Sequence, residues 1–199
     1  MKWLFRMKSL CRLFRSLMNR LFRARPDDHA AIRPLWHRIV EIARDKAWYT
    51  RLGIADTLPG RFDAITLVLV LVLLRMETEA NLATPSVRLT ELFVDDMDGQ
   101  LRESGVGDLV VGKHVGRLMG ALGGRLGALR NALAQAGAGE GDTAPVNTPL
   151  AEALARNVTL RDGAGAVPLA GAVRALANQL AELPTESILS GDIVLRYLP

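Results

Sequence analysis

At 199 residues, 49% of them hydrophobic and 5% aromatic, the chain can bury a core of its own, and its wealth of Leu, Ala, Gly and Arg points to an all-α fold. The single cysteine, Cys11, excludes an internal disulfide and a cysteine-based zinc site, so nothing argues for an oxidising compartment. The net charge of +4 is unevenly spread: residues 1–25 hold eight basic residues and no acid, leaving 17 basic against 21 acidic residues elsewhere, a net of −4.

Residues 1–25 divide as an amphipathic helix divides. Trp3, Met7, Leu10, Phe14, Leu17, Met18 and Leu21 share one arc; Lys2, Arg6, Lys8, Arg12, Arg15, Arg20 and Arg23 occupy the opposite one. Arginine every few residues excludes the unbroken apolar core of a signal peptide. A helix in the membrane interface, a mitochondrial transit peptide and a basic arm for ribosomal RNA share the remaining chemistry. The wide apolar stripe favours the interfacial helix, with Trp3, Phe14 and Leu17 in the apolar layer and Arg6, Lys8, Arg12, Arg15 and Arg20 on anionic lipid. Each such cation contributes about 1 kcal/mol near the surface.

Pro26 closes this segment, so the chain reads as a basic membrane-surface or targeting segment, 1–25, and a helical domain, 26–199. A helix is expected over 34–49 and a turn over 52–60. The run 64–74, apolar except for Thr66, would reach roughly 16 Å as a helix, about half of the hydrocarbon layer. It is expected as the central helix, buried all round. A further helix is predicted over 89–101. Leu101 to Asp108 then forms a corner, with Gly105 and Gly107 suited to the break and Asp108 to an N-cap. In the helix predicted over 113–135, Gly116, Gly120 and Gly124 recur every four residues, as do Gly123 and Gly127; close packing against the apolar helix is expected there. A Gly/Pro-rich linker near 136–149, helices over 150–157 and 167–183, a stop at Pro184 and an extended tail over 193–198 complete the chain.

Little of this is reaction chemistry. Asp95, Asp96 and Asp98 lack the later Gly and Glu of a calcium loop, and His29, His37 and His114 are scattered. No nucleophile elbow, phosphate loop or convergent acid–base pair appears, so no catalytic residue, metal site or cofactor is expected. Arg102, Glu103, Asp108 and Lys113 gather four charges at one corner, as an internal network or as a surface that receives a partner.

Several separated motifs carry a resemblance. Phe93-Val94-Asp95-Asp96-Met97-Asp98, Leu101-Arg102-Glu103, Gly105-Val106-Gly107-Asp108 and Lys113 resemble the central block of the ubiquinol–cytochrome c chaperone family. Gly60-Arg61-Phe62-Asp63, Gly124-Arg125 with Ala132-Leu133, and Arg156-Asn157-Val158 are similar to further elements in the same order. The likeness runs from about Trp36 to the C-terminus and omits the first 25 residues. Where the family places aromatics around its Gly-Arg pair, this chain has Leu122, Gly123 and Leu129, which puts an aromatic contact there in question. The resemblance implies a non-enzymatic chaperone that holds newly made cytochrome b for assembly of ubiquinol–cytochrome c reductase. Arg102, Glu103, Asp108 and Lys113 would then face a partner. A ribosome or a small partner subunit would be further contacts, and DNA would not. The expected location is the cytoplasmic face of the inner membrane in a bacterium, or the mitochondrial matrix in a eukaryote. The alternative from another class is a small-molecule or lipid-binding helical domain at the membrane surface, its pocket between the apolar and the glycine-rich helices.

Overall fold

The computed structural model describes residues 29–103, 108–135 and 148–196, and the side chains of all of these except 101–103 and 108–115. The first helix, α1 (Arg33–Ala43), has Pro34 in its first turn and buries Leu35, Trp36, Ile39, Ile42 and Ala43 along one face. The single helix expected over 34–49 is broken. Asp45 leaves the helical conformation and its carboxylate accepts from the Ala47 N–H at 2.8 Å, which caps α2 (Lys46–Thr50). Ala47 and Trp48 keep the apolar spacing across the break, which is why periodicity hid it. The Trp48 indole donates to the Ile42 carbonyl and the Tyr49 hydroxyl to that of Ala43, both at 2.8 Å, so α2 satisfies the open carbonyl end of α1.

The apolar run lies in α3 (Leu58–Met76), which is longer than expected because Thr57 caps it and Pro59 occupies its first turn. Gly60 is required there: a Cβ would stand 1.9 Å from the Ala55 carbonyl oxygen. Within 64–74 only Ile65 and Leu74 are less than fully buried, and α3 packs against α1, α4, α5 and α7. Among the described residues no helix is long and apolar enough to cross a membrane.

A 3-10 turn (Ala80–Leu82) leads into α4 (Ala83–Glu103), which buries Leu89, Leu92, Phe93, Val94 and Met97. The expected corner falls between α4 and α5 (Asp108–Gln135), and its residues 104–107 lie outside the described ones. Helix α5 does pack on α3, but not through its glycines. Met119, Leu122, Leu129 and Ala132 form the buried face, whereas a Cβ on Gly116, Gly120, Gly123, Gly124 or Gly127 would meet nothing within 4 Å among the described residues. The close glycine packing expected from the sequence is therefore corrected: the repeat marks the open side of the helix.

Residues 136–147 of the expected linker lie outside the described ones. The chain continues with α6 (Thr148–Asn157), α7 (Val167–Glu182) and, after Pro184, an unforeseen short helix, α8 (Thr185–Ser190). Gly191 ends it at φ 75°, and a Cβ there would lie 2.8 Å from the Pro34 carbonyl oxygen, so glycine lets α8 seat on α1. Residues 192–196 follow without helix, as expected of the tail. Arg38 donates to the Ile193 carbonyl at 2.8 Å, and the Gln179 amide bonds the backbone of Val194 and Arg196. Among the described residues β-structure is limited to one isolated bridge, Ile54 with Leu160, and the fold is all-α.

Candidate client-binding cleft

Motifs that are far apart in sequence meet in space. Asp63, on the first turns of α3, pairs with Arg125 of α5, and its other carboxylate oxygen accepts from the Thr159 N–H at 2.8 Å and hydroxyl at 2.7 Å. Thr159 directly follows Arg156-Asn157-Val158. The Arg125 guanidinium lies 5.5 Å from the centre of the Phe62 ring, Phe62 is 6.2 Å from Phe93, and Phe93 meets Trp36 edge-on at 6.0 Å. One relay of charge and rings thus ties α5 to α3, α4 and α1. The aromatic contact in question for the Gly-Arg pair exists here, and Phe62 supplies it from α3. With side-chain exposures of 6% and 16%, Asp63 is buried and Arg125 half-buried, and each charge offsets the desolvation of the other. The Arg125 Nη1 is buried without an acceptor among the described residues.

Phe62 of this relay also lines a cleft of about 850 Å³. Phe62 and Ile65 of α3, Met97 of α4, Leu118 of α5, and Val40 and Tyr49 from α1 and α2 make it apolar. Leu58, at its lip, is 82% exposed, the most exposed large apolar side chain among the described residues. Arg44, Lys46, Asp56, Arg61, Asp96 and Gln100 supply the polar lining; Arg61 pairs with Asp56 at 2.7 Å, and Gln100 donates to Asp96 at 3.3 Å. Burial pushes the Tyr49 phenol above its ordinary range, with Asp56 adding to the rise and Arg61 and Arg44 opposing it. The pocket anticipated between the apolar and glycine-rich helices does receive Phe62, Ile65 and Leu118, but α1, α2 and α4 complete it.

Val40, Arg44 and Asp96 also border a second depression of about 800 Å³. His29, which lines it, meets Glu91 at 3.1 Å, and both are buried. Asp95, one turn beyond Glu91, is an exposed residue whose carboxyl group is partly desolvated. That burial raises its pKa, with Glu91 and Asp98 adding to the rise and His29 opposing it. No group of three His, Cys, Asp or Glu able to hold a metal occurs among the described residues.

None of the expected partner residues is among those that line the cleft; by sequence position Arg102 and Glu103 follow Gln100 on α4, and Asp108 and Lys113 precede Leu118 on α5. The side chains of all four lie outside the described residues. So do the membrane residues Trp3, Arg6, Lys8, Arg12, Phe14, Arg15, Leu17 and Arg20. The sequence did not disclose the Asp63–Arg125 pair, 62 positions apart, nor Ile65 and Leu118 as cleft residues. An acid directly before the longest apolar run was the available signal for Asp63.

A family model described as Ubiquinol-cytochrome C chaperone matches residues 50–195. The crystal structure of the Cbp3 homolog from Brucella abortus is similar at a TM-score of 0.71 and 30% identity, over 91% of this chain and 97% of that one. No curated protein matches the chain.

Proposed function

This chain belongs to the ubiquinol–cytochrome c chaperone family, the assembly chaperones of ubiquinol–cytochrome c reductase, and from that premise we propose that it holds newly made cytochrome b at the apolar cleft. The observation that carries this reading is the cleft itself. A folded body with net negative charge keeps Leu58 in water and an open trough lined by Phe62, Ile65, Met97 and Leu118. Apolar surface left open in this way marks an interaction site. A holding function needs an apolar seat and no reacting group, so the protein acts without catalysis of its own and without a resident cofactor.

The corner with Arg102, Glu103, Asp108 and Lys113 extends the seat with charge, and residues 1–25 keep it at an anionic membrane, where such a client is made. In a bacterium that surface is the cytoplasmic face of the inner membrane; in a eukaryote it is the matrix side. A ribosome or a small partner subunit would approach the same complex. The test is deletion of the chaperone followed by complementation. Without it, unassembled cytochrome b is expected to be lost or to accumulate without haem, and Ile65→Asp is expected to restore protein level but not assembly. Full assembly with Ile65→Asp would remove the cleft from the mechanism.

A further inference from the structure

The cleft is electrically lopsided. On its α1–α2 side stand Arg44 and Lys46, and neither has an ion-pair partner among the described residues. The first turn of α3, capped by Thr57, reaches the same lip through Leu58 and Pro59 and brings the positive end of the helix dipole there. Arg61 and Asp56 neutralise each other there. From α4 the lining includes the acid Asp96, which accepts from the amide of Gln100 and has no ion-pair partner among the described residues. The apolar floor therefore has a cationic border contributed by α1 and α2 and an acidic one contributed by α4.

We propose that the cleft takes an apolar helical segment of the client with carboxylates along one flank, which Arg44 and Lys46 receive, so that charge sets the direction in which the segment lies. This deepens the client reading and rests on it. The occupant is a helix because an apolar lining offers few partners for backbone N–H and C=O groups, and a helix satisfies its own. It is a polypeptide because the border carries both signs. A segment with acids on one flank and amides or cations on the other matches Arg44, Lys46 and Asp96 together, whereas an anionic lipid headgroup would leave Asp96 opposed by like charge.

The test uses the full chain and three synthetic Leu/Ala-rich helical peptides of about 14 residues, four turns long, carrying two Glu, two Gln or two Lys on one flank. Fluorescence anisotropy should rank them Glu above Gln above Lys, with about fivefold to tenfold between the extremes, as two partly exposed pairs allow. Arg44→Glu with Lys46→Glu should reverse the order. Leu58→Gln, at a position too exposed to disturb folding, should weaken all three peptides alike, and Ile65→Asp should weaken them further. Equal binding of the three peptides to the wild-type chain, with loss in Leu58→Gln and Ile65→Asp, would overturn the charge reading and leave the client cleft standing. Peptide binding untouched by both apolar variants would overturn the cleft and the charge reading together. Displacement of every peptide by lysophosphatidylglycerol, with an order unchanged in the charge-reversed variant, would overturn the proposal in favour of lipid.

Discussion

Separating Asp63 from Arg125 is the perturbation with the largest expected effect outside the apolar core. In Arg125→Met the Asp63 carboxylate keeps the Thr159 N–H and hydroxyl but loses its counter-charge, while only 6% exposed. A buried charge stripped of its partner costs about 3–5 kcal/mol. Loss of the guanidinium from the Phe62 face adds about 0.5–1 kcal/mol. Asp63→Leu strands the guanidinium instead and leaves the Thr159 N–H and hydroxyl without their acceptor, at about 1 kcal/mol each. The double variant removes both charges, so it should lose about 1–3 kcal/mol less than the two single losses together. Urea unfolding of the four proteins at neutral pH reads these differences directly. Against the ~5–15 kcal/mol typical of a domain, either single loss is severe. Single losses below about 1 kcal/mol that simply add would show that the pair does not hold α3 to α5, and that the convergence of motifs has no mechanical meaning.

Three further perturbations follow from the packing. Leu69 is fully buried in α3, so Leu69→Ala should lower unfolding stability by about 2–5 kcal/mol; a loss below ~0.5 kcal/mol would show that α3 is not the core. Gly120→Ala and Gly123→Ala introduce methyl groups into open space, so each should raise stability by about 0.5–1 kcal/mol, and destabilisation would mean that something packs on that face. Asp95 has a folded pKa above its unfolded one, so the native state binds that proton more tightly and loses stability as pH rises from the unfolded value through the folded one. Asp95→Asn should therefore stabilise the protein at neutral pH and reduce its gain on mild acidification; an unchanged pH profile would contradict the assignment.

The sequence disclosed the fold where the signal is local and left the site hidden where it is not. The run 64–74 announced a buried helix because its apolar residues leave no polar stripe, and Pro184 marked a helix end by chemistry that needs no neighbour. The break at Asp45 was missed because one residue changes the backbone while the apolar spacing of Ala47 and Trp48 continues unbroken. The glycine repeat misled in the other direction. Small residues at spacing four fit a close helix contact, but the leucines of the same helix claimed α3 first and turned the glycines outward. The cleft has no local signature at all. Phe62, Met97 and Leu118 sit on three helices that only tertiary packing brings together, and the Asp63–Arg125 pair, whose guanidinium lies over Phe62, closes a loop of 62 residues.

If cytochrome b rests in this cleft, contact mapping in living cells will place it there. A photo-activated crosslinking residue placed at Ile65 or Leu118, inside the cleft, or at Glu182, exposed at the end of α7, should be irradiated while cytochrome b is being made. Adducts to newly made cytochrome b from Ile65 and Leu118, with none from Glu182, are the predicted result. Adducts from Glu182 alone, or equal yields from all three positions, would contradict it.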